Sequence, residues 1–513
     1  MKLSDNYIKS DAESIIAYAK KMRGKTFEDI LNDAKAYEDG IPDTKELSSM
    51  KNKYRKGGLG NLVEKYYFGY DINSNPDSDF SEANLELKVT PYEISQKKKG
   101  EPTYRAGERL VLTMIDFSKQ ISVDEKTLQA SHVWAKCARM LLVYYHRIAE
   151  LKAQKRNLEY PIDFVYFLNL CQKCFAKDVV IMTEDYNKII GKILAGKAHE
   201  ISEGDTLYLG ACTKGSTAAK SFRVQFYPDK DDGEKKLAKS RAFCLKQSYM
   251  TFLLNQYIRH EAESESIFQD SLPAGMTFET AIKEKLKPYI GWSAEQIAAH
   301  FDFDLSKNKN KSKYAFLVYK ILGIKGNQAE EFQKANITIR TIALEENGRL
   351  KEDISFSAFS FLKIAEETWE DSWVNTFFSE NRFFVVVFQK AKDKDTRILK
   401  GGFFWNVPEP IIEGPMKECW AKTQKAIVDG VELHWDAKKG IMSNNLPKKK
   451  QNPVMHVRPH TSKRYYDLGN GRIYGNGTPA NAAPLPDGRL MQRQGFFLNA
   501  SFMIKVIHDH IDR

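Results

Sequence analysis

The segment from Asn84 to Thr90 constrains the fold of this chain most tightly, because apolar and polar residues alternate along it. Alternation with a period of two predicts a half-buried strand. Glu86 and Lys88 would share one face of that strand, while the leucines and the valine around them pack on the other. Asp79 lies in the turn before it. The sequence therefore predicts that two carboxylates and one ammonium group converge at one point.

A convergence of this kind is what a metal-dependent phosphodiesterase needs. Mg²⁺ prefers oxygen ligands and keeps several waters, so two carboxylates and a substrate phosphate are enough to hold it. The metal lowers the pKa of a bound water, and Lys88 could orient or deprotonate that water. The same short pattern is also common on the solvated face of an ordinary strand. The motif alone leaves both interpretations open.

A second candidate acid precedes this motif. The segment Gly60–Gly69 predicts an amphipathic helix that ends at Gly69. Glu64 lies beside the apolar stripe of that helix. It is either an inward-facing acidic group or an ordinary surface glutamate, and the helical pattern by itself favours the surface residue.

Three pieces of sequence together resemble the catalytic signature of the MutH-like endonucleases, which belong to the PD-(D/E)XK superfamily. The pieces are Gly60 with Glu64, Asp79 with Phe80, and the run Leu85–Lys88. The family contains the mismatch-repair nickase MutH and type II restriction endonucleases that cut GATC. The resemblance continues in order from about residue 56 to about residue 258. Its later segments are Ser131–Lys136, Arg139–Tyr144, Gly196–Gly204, Tyr208–Gly215 and Phe243–Met250.

The resemblance implies the α/β fold of the restriction-endonuclease core and a set of site residues. Asp79 and Glu86 match the ligands of a divalent metal, usually Mg²⁺. Lys88 matches the catalytic lysine, Glu64 matches an auxiliary acid, and Lys136 matches a further active-site lysine.

The chain also departs from the family pattern. Pro76-Asp77 imitates the Pro-Asp form of the motif, but the spacing to Glu86 assigns the ligand role to Asp79 instead. MutH has Arg-Pro-Lys where this chain has Cys212-Thr213-Lys214, so its mode of base recognition cannot be transferred. We expect DNA contacts from a set of basic residues: Lys214, Lys246, Arg458, Lys97, Lys98 and Lys99.

The second half of the chain repeats these features in order and loses their chemistry. Phe316–Gly323 aligns with Leu62–Gly69, and Glu331–Arg340 aligns with Asp79–Lys88. The alignment replaces Glu64 by Val318, Asp79 by Glu331, Glu86 by Thr338 and Lys88 by Arg340. Threonine brings no charge to a metal, and arginine, with a pKa above about 12, cannot act as a base. Because later strands recur in register as well, duplication is favoured over chance similarity of apolar strands.

These observations predict an α/β protein with two tandem restriction-endonuclease-like domains, the second a degenerate copy. The first would span residues 1–262 and carry catalysis, with ancillary helices in residues 1–55. A polar segment rich in helix breakers would link it to the second, residues 277–513. This layout resembles that of the staphylococcal GATC-cutting enzyme. It implies that the second domain binds another GATC site as an allosteric effector.

The resemblance implies a type II restriction endonuclease that cuts double-stranded DNA at GATC, on the 5′ side of the guanine. A single active centre must cut two strands, so we expect transient self-association on DNA. A cognate DNA methyltransferase is the expected functional partner. One alternative is a strand-nicking mismatch-repair enzyme, which the duplicated half argues against. Another is a non-catalytic DNA-binding protein, which the intact set of Asp79, Glu86 and Lys88 argues against.

Composition agrees with a nucleic-acid partner. The 78 lysines and arginines exceed the 67 acidic residues, which gives a formal charge of +11. A basic balance suits a polyanion. It would also suit a membrane surface, but no basic amphipathic helix is evident. No apolar run approaches the ~20 residues of a membrane-spanning helix, and no signal peptide is recognisable. With only six cysteines, we expect a reduced cytoplasmic protein that does not associate with membranes.

Overall fold

The computed structural model describes residues 1–41, 58–70, 77–95, 101–214, 221–261, 264–269, 271–305, 313–326, 328–393 and 396–511. The chain divides into two compact units. Unit 1 comprises Met1–Phe278 and Gln328–Asn336, and unit 2 comprises Glu279–Asn327 and Ile337–Arg513. Within the described ranges, no helix is long and apolar enough to cross a membrane.

The elements up to residue 258 form a mixed α/β arrangement. The helices are α1 (Ala12–Ala19), α2 (Phe27–Ala34), α3 (Gly58–Tyr66), α4 (His132–Cys137), α5 (Ala149–Ala153), α6 (Ala176–Leu194) and α7 (Gln247–Leu253). The strands are β1 (Glu86–Ser95), β2 (Thr103–Ala106), β3 (Leu110–Ile115), β4 (Arg139–His146), β5 (Ile162–Asn169), β6 (Leu209–Thr213), β7 (Phe222–Val224), β8 (Leu237–Lys239) and β9 (Arg241–Leu245).

The remaining elements follow from residue 278 onward. The helices are α8 (Phe278–Leu286), α9 (Ala294–His300), α10 (Lys313–Ile321), α11 (Glu330–Lys334), α12 (Phe361–Glu366), α13 (Trp373–Glu380), α14 (Glu409–Ile411), α15 (Lys417–Val428) and α16 (Ala500–Ile511). The strands are β10 (Ile337–Leu344), β11 (Ile354–Ala358), β12 (Arg382–Lys390), β13 (Arg397–Trp405), β14 (Leu433–Asp436), β15 (Ile441–Asn444), β16 (Met455–Pro459), β17 (Tyr465–Asp467), β18 (Ile473–Gly475), β19 (Ala482–Pro484), β20 (Leu490–Gln492) and β21 (Gln494–Leu498).

Strand β1, which carries the acidic motif, is an inner strand of a four-stranded sheet with the order β2-β1-β4-β5. It runs parallel to β4, and Glu86 lies opposite Met140. Strands β2 and β5 are antiparallel to their neighbours. Because β1 lies inside the sheet, both faces are buried at the start of the strand. Glu86 is only 2% exposed and Leu87 only 4%. The half-buried strand expected from sequence is therefore fully buried at its acidic end.

The sheets of the two units share their strand order. In unit 1 the second sheet is β3-β9-β6, with β9 antiparallel to both neighbours. In unit 2 the sheet β11-β21-β16 has the same arrangement. The sheet β10-β12-β13 combines a parallel and an antiparallel pair, as β1-β4-β5 does.

Helix α3 packs against β1 and fixes the side on which its acid lies. Leu62 and Val63 are fully buried in one cluster with Leu85 and Leu87, together with side chains of α1 and α2. The sequence predicted a helix that stops at Gly69. Gly69 has a φ of +70° and donates its N–H to the Lys65 carbonyl, which is the conformation that favours glycine after a helix.

The compact units divide the chain differently from the expected linker. Unit 1 extends to Phe278 and also includes the short helix α11. The physical reason is a buried polar cluster. Lys334 of α11 donates to both carboxylate oxygens of Asp178, at 2.7 and 2.9 Å, and Glu331 accepts from Ser266. Breaking such a buried ion pair is costly, so this segment is held in unit 1.

Candidate active site

Glu86 stands at the centre of the candidate site. Its side chain is buried at the start of β1, and each carboxylate oxygen accepts from a different lysine. Lys88 Nζ lies 2.5 Å from Oε1, and Lys136 Nζ lies 2.9 Å from Oε2. Two ammonium groups thus compensate one buried carboxylate. The structure brings Glu86 and Lys88 together, as the strand periodicity predicted, and it places Lys136, which the family resemblance implied, on the other carboxylate oxygen.

Asp79 lies beside this group. Its Oδ2 accepts the backbone N–H of Leu87 at 2.9 Å, which ties the turn to the first residues of β1. Burial raises the pKa of Asp79, and the negative charge of Glu86 raises it further. The two carboxylates are therefore close enough to repel each other.

Glu64 of α3 also belongs to the cluster. The pKa of Glu64 is raised to about 7. Burial is the largest cause, the charge of Asp79 is the next that raises it, and the charge of Glu86 has a smaller effect. Lys88 and Lys136 act in the opposite direction. Of the two interpretations of Glu64, the structure supports the inward-facing acid. Helix α3 packs against β1, and the Glu64 side chain is partly buried.

Lys136 is positioned by a short capped helix. Ser131 caps α4 by accepting from the N–H of Trp134 at 3.3 Å. Besides Glu86, Lys136 Nζ donates to the backbone carbonyl of Asp77 at 2.5 Å. Asp77 thus contributes its backbone here, whereas Asp79 contributes a carboxylate next to β1.

The donor set fits a divalent metal, although no metal site of three or more His, Cys, Asp or Glu side chains occurs among the described residues. The charge of Glu86 raises the pKa of both Asp79 and Glu64, and the charge of Asp79 raises that of Glu64 further. A bound cation would relieve that repulsion. Two carboxylates are sufficient when a substrate phosphate and waters complete the coordination.

The predicted DNA contacts occupy different environments. Lys214 is partly exposed just after β6, and Arg458 on β16 has a side chain that is 52% exposed. Lys246, by contrast, is 7% exposed and donates its ammonium to the Thr206 carbonyl. In this structure Lys246 therefore supports the protein interior and does not face outward. The run Lys97–Lys99 lies outside the described residues.

Sequence reasoning missed Asp185, which sets the position of β6. This side chain on α6 is fully buried and accepts three backbone N–H groups, from Leu207, Tyr208 and Leu209, at 2.7, 2.6 and 2.9 Å. An aspartate on the apolar side of a helix was the available signal. Its partners lie more than 20 residues away, so sequence spacing did not reveal them.

The aligned positions in the second half of the sequence make other contacts. Thr338 donates its hydroxyl to Asn381, and Arg340 lies over the Phe356 ring, 5.1 Å from its centre. Val318 is fully buried among apolar side chains. Glu331, which aligns with Asp79, accepts from Ser266 and two backbone N–H groups within unit 1. These four side chains do not reproduce the carboxylate–lysine cluster.

Comparisons with known proteins agree with this geometry. The family model described as the DNA mismatch repair enzyme MutH matches residues 68–170. The type II restriction enzyme Sau3AI of Staphylococcus aureus is 32% identical over 490 residues, which cover 89% of this chain and 93% of that protein. The DNA mismatch repair protein MutH of Vibrio campbellii is 25% identical over 217 residues, which cover 41% of this chain and 83% of that protein.

The mixed α/β fold and these matches place the chain among nucleases of the restriction-endonuclease and MutH type. The match to Sau3AI covers most of both chains at 32% identity, and it therefore identifies the family within this class. The chain belongs to the MutH-like family of type II restriction enzymes that includes Sau3AI.

Proposed function

We propose that this chain is a type II restriction endonuclease that hydrolyses double-stranded DNA at GATC, on the 5′ side of the guanine, in a Mg²⁺-dependent reaction. The observation that carries the proposal is the contact of Glu86 with both Lys88 and Lys136, beside Asp79, at the start of β1. The similarity to Sau3AI along almost its whole length supports it.

Asp79 and Glu86 would hold the metal, which when bound lowers the pKa of a water and neutralises phosphate charge. Lys88 reaches the same carboxylate and would orient the attacking water towards the phosphorus. Lys136 would hold Glu86 in place through its second oxygen. Glu64 would accept a proton in this cluster, because its pKa of about 7 lies near the working pH.

Unit 2 would bind a second GATC site and stimulate cutting by unit 1. The shared strand order supports descent from one duplicated domain, with the catalytic domain before about residue 262 and the effector domain after about residue 277. The loss of carboxylates at Val318 and Thr338 supports a non-catalytic role. Two chains would associate transiently on DNA to cut both strands, and a cognate methyltransferase would protect host sites.

The decisive experiment maps the ends made on an unmethylated plasmid with several GATC sites after incubation with the protein and Mg²⁺. Double-strand breaks at GATC with 5′-phosphate ends are expected. Nicked circles without linear product would instead support a mismatch-repair nickase. DNA binding without cleavage in either Mg²⁺ or Mn²⁺ would overturn the nuclease proposal in favour of a DNA-binding protein.

A further inference from the structure

The turn next to Asp79 is a closed backbone loop. Phe80 and Leu85 exchange both of their backbone hydrogen bonds, at 3.0 and 3.2 Å. Between them lie the 3₁₀ turn Ser81–Ala83 and Asn84, whose φ of +47° is a conformation that few residues other than glycine adopt. Asp79 directly precedes this loop. A contact that holds any part of the loop therefore also bears on the position of Asp79.

Two side chains from the junction of α4 and β4 hold the backbone on either side of Asp79. Before it, Lys136 donates to the Asp77 carbonyl at 2.5 Å. After it, Nη1 of Arg139 donates to the Ala83 carbonyl at 3.0 Å. Lys136 lies near the end of α4, and Arg139 is the first residue of β4. One short segment of the chain thus supplies both contacts.

The guanidinium of Arg139 is itself held by an aromatic ring. Its Cζ lies 5.6 Å from the centre of the Phe167 ring on β5, a distance at which a cation is attracted to the face of a ring. The arginine side chain is half-buried. A hydrogen bond from a charged donor is also stronger than one between neutral groups. Arg139 therefore offers the Ala83 carbonyl a strong donor in a fixed position.

The contact with the ring does not by itself explain the contact with Ala83. In unit 2, Arg382 is the first residue of β12, and its Cζ lies 6.0 Å from the centre of the Phe404 ring on β13. Strands β12 and β13 pair antiparallel, as β4 and β5 do. The residue aligned with Glu86 is Thr338, which brings no charge to a metal. Because the arginine–ring contact occurs without a carboxylate there, it belongs to the packing of the sheet, and the hydrogen bond to Ala83 is a separate contact.

The two carboxylates of the site need support of this kind. Asp79 and Glu86 carry like charges, and the pKa of Asp79 is raised by burial and then by Glu86. Repulsion between them favours their separation. Mg²⁺ requires nearly ideal octahedral geometry, so its ligands must be held in place despite that repulsion. Lys88 and Lys136 hold Glu86, whereas the N–H of Leu87 and the adjoining loop hold Asp79.

We propose that Arg139 is a positioning residue of the metal site, which fixes the loop after Asp79 and so holds this carboxylate where a divalent cation binds. The inference rests on the proposed function, because it takes Asp79 to be a metal ligand. Arg139 acts through the Ala83 carbonyl and touches neither the metal nor the DNA. Outer partners of metal ligands typically contribute about 10- to 100-fold to metal affinity or activity. Loss of Arg139 should therefore weaken metal binding and slow cleavage without weakening DNA binding.

The test is a titration of the DNA-free full chain with Mn²⁺, which takes the same oxygen ligands as Mg²⁺, and electron paramagnetic resonance measures the free ion. Asp79→Asn shows how much of the binding depends on this site. Arg139→Met keeps an unbranched side chain that can cover Phe167 but removes every N–H donor. Arg139→Lys keeps a charged donor. Thermal melting of each variant confirms folding, and Arg139→Gln, with its shorter side chain, replaces Arg139→Met if that variant is unfolded.

Arg23→Met is the matched control. Nε of Arg23 donates to the Asp163 carbonyl at 3.2 Å, so this residue is also an arginine that holds a backbone carbonyl of unit 1. Asp163 lies near the start of β5, whereas Asn169 at the end of β5 pairs with Arg139. The control contact is therefore at the other end of the strand from the metal site. Arg23→Met should bind Mn²⁺ as wild type does.

Arg139→Met should raise the dissociation constant for Mn²⁺ about 10- to 100-fold, and Arg139→Lys should raise it less. In plasmid cleavage, kcat of Arg139→Met should fall at a low Mg²⁺ concentration and partly recover at a high one. KM for GATC DNA should stay near that of wild type. If Arg139 served packing alone, methionine would replace it without a change in Mn²⁺ affinity.

Two results would overturn the inference while the proposed function stands. One is a wild-type Mn²⁺ affinity in Arg139→Met. The other is a raised KM for DNA with unchanged Mn²⁺ affinity, which would make Arg139 a DNA contact instead. If wild type shows no Mn²⁺ binding that depends on Asp79 and does not cut GATC DNA, the proposed function itself fails and this inference fails with it.

Discussion

At the scale of single residues, Glu86 carries the most specific expectation. Glu86→Gln removes a proposed metal ligand and the shared partner of Lys88 and Lys136. We expect DNA cleavage to fall roughly 100- to 1000-fold, the usual cost of one charge-stabilising group, while DNA affinity changes little. Initial rates on plasmid DNA and a binding titration measure the two effects. Glu82→Gln, an exposed acid in the preceding turn, is the control and should cut normally. A Glu86→Gln enzyme with wild-type rates would remove this residue from the mechanism.

Glu64 makes a prediction about pH. In the metal-free protein its pKa is raised from 4.5 to about 7, first by burial and then by Asp79. Between those values the folded state holds a proton that the unfolded state has released, so this group lowers stability as pH rises. Glu64→Gln cannot ionise. The melting temperature of Glu64→Gln in EDTA, relative to that of wild type, should therefore rise between pH 5 and pH 8. The difference in melting temperature between Glu82→Gln and wild type should stay constant over this range. A gain that does not change with pH would contradict the assigned burial of Glu64.

At the scale of elements, the sequence predicted the helices and strands that short stretches of sequence determine. Short-range sequence patterns predicted helix α3, the positive-φ glycine Gly69 that follows its end at Tyr66, and strand β1. They also predicted the convergence of Glu86 with Lys88. Contacts between distant segments could not be read in this way. Lys136 reaches the Asp77 carbonyl across 59 positions, and Lys246 turns inward to Thr206. Neither contact leaves a periodic trace in the sequence, because each depends on how separate elements pack.

Asp185 stabilises the start of strand β6, and a change at this residue should lower the stability of the protein by a measurable amount. It holds the start of β6 through three backbone N–H groups, and β6 leads to Cys212 and Lys214. Asp185→Asn keeps the volume but turns an amide N–H₂ towards at least one of those donors. We expect a loss of about 1–3 kcal/mol in the free energy of unfolding. Urea denaturation measures it, with the exposed Asp232→Asn as the control. If both variants unfold at the same urea concentration, Asp185 does not support the strand.

At the scale of the whole molecule, the duplication of one domain stays a prediction, and the borders of the compact units could not be read from the sequence. Repeated segments in register predicted two similar halves, and the two units do share strand order in two sheets. The placement of α11 in unit 1 was not foreseen. Glu331 aligns with Asp79, yet its oxygens accept hydrogen bonds from Ser266 and from backbone N–H groups. Sequence alignment preserves position, but the partners of a side chain depend on packing.

The proposed effector role of unit 2 predicts how cutting depends on the number of sites. Unit 2 keeps the sheet and Arg458 but lacks the carboxylate–lysine cluster, so its binding to GATC could act only by coupling to unit 1. A coupling of about 1.4 kcal/mol is a tenfold effect. A plasmid with one GATC site should therefore be cut about tenfold more slowly than one with several sites. A short GATC duplex added in trans should restore the rate, and a scrambled duplex of equal length should not. Equal rates on both plasmids, with no response to the added duplex, would exclude an effector role for unit 2. Unit 2 would then only bind DNA.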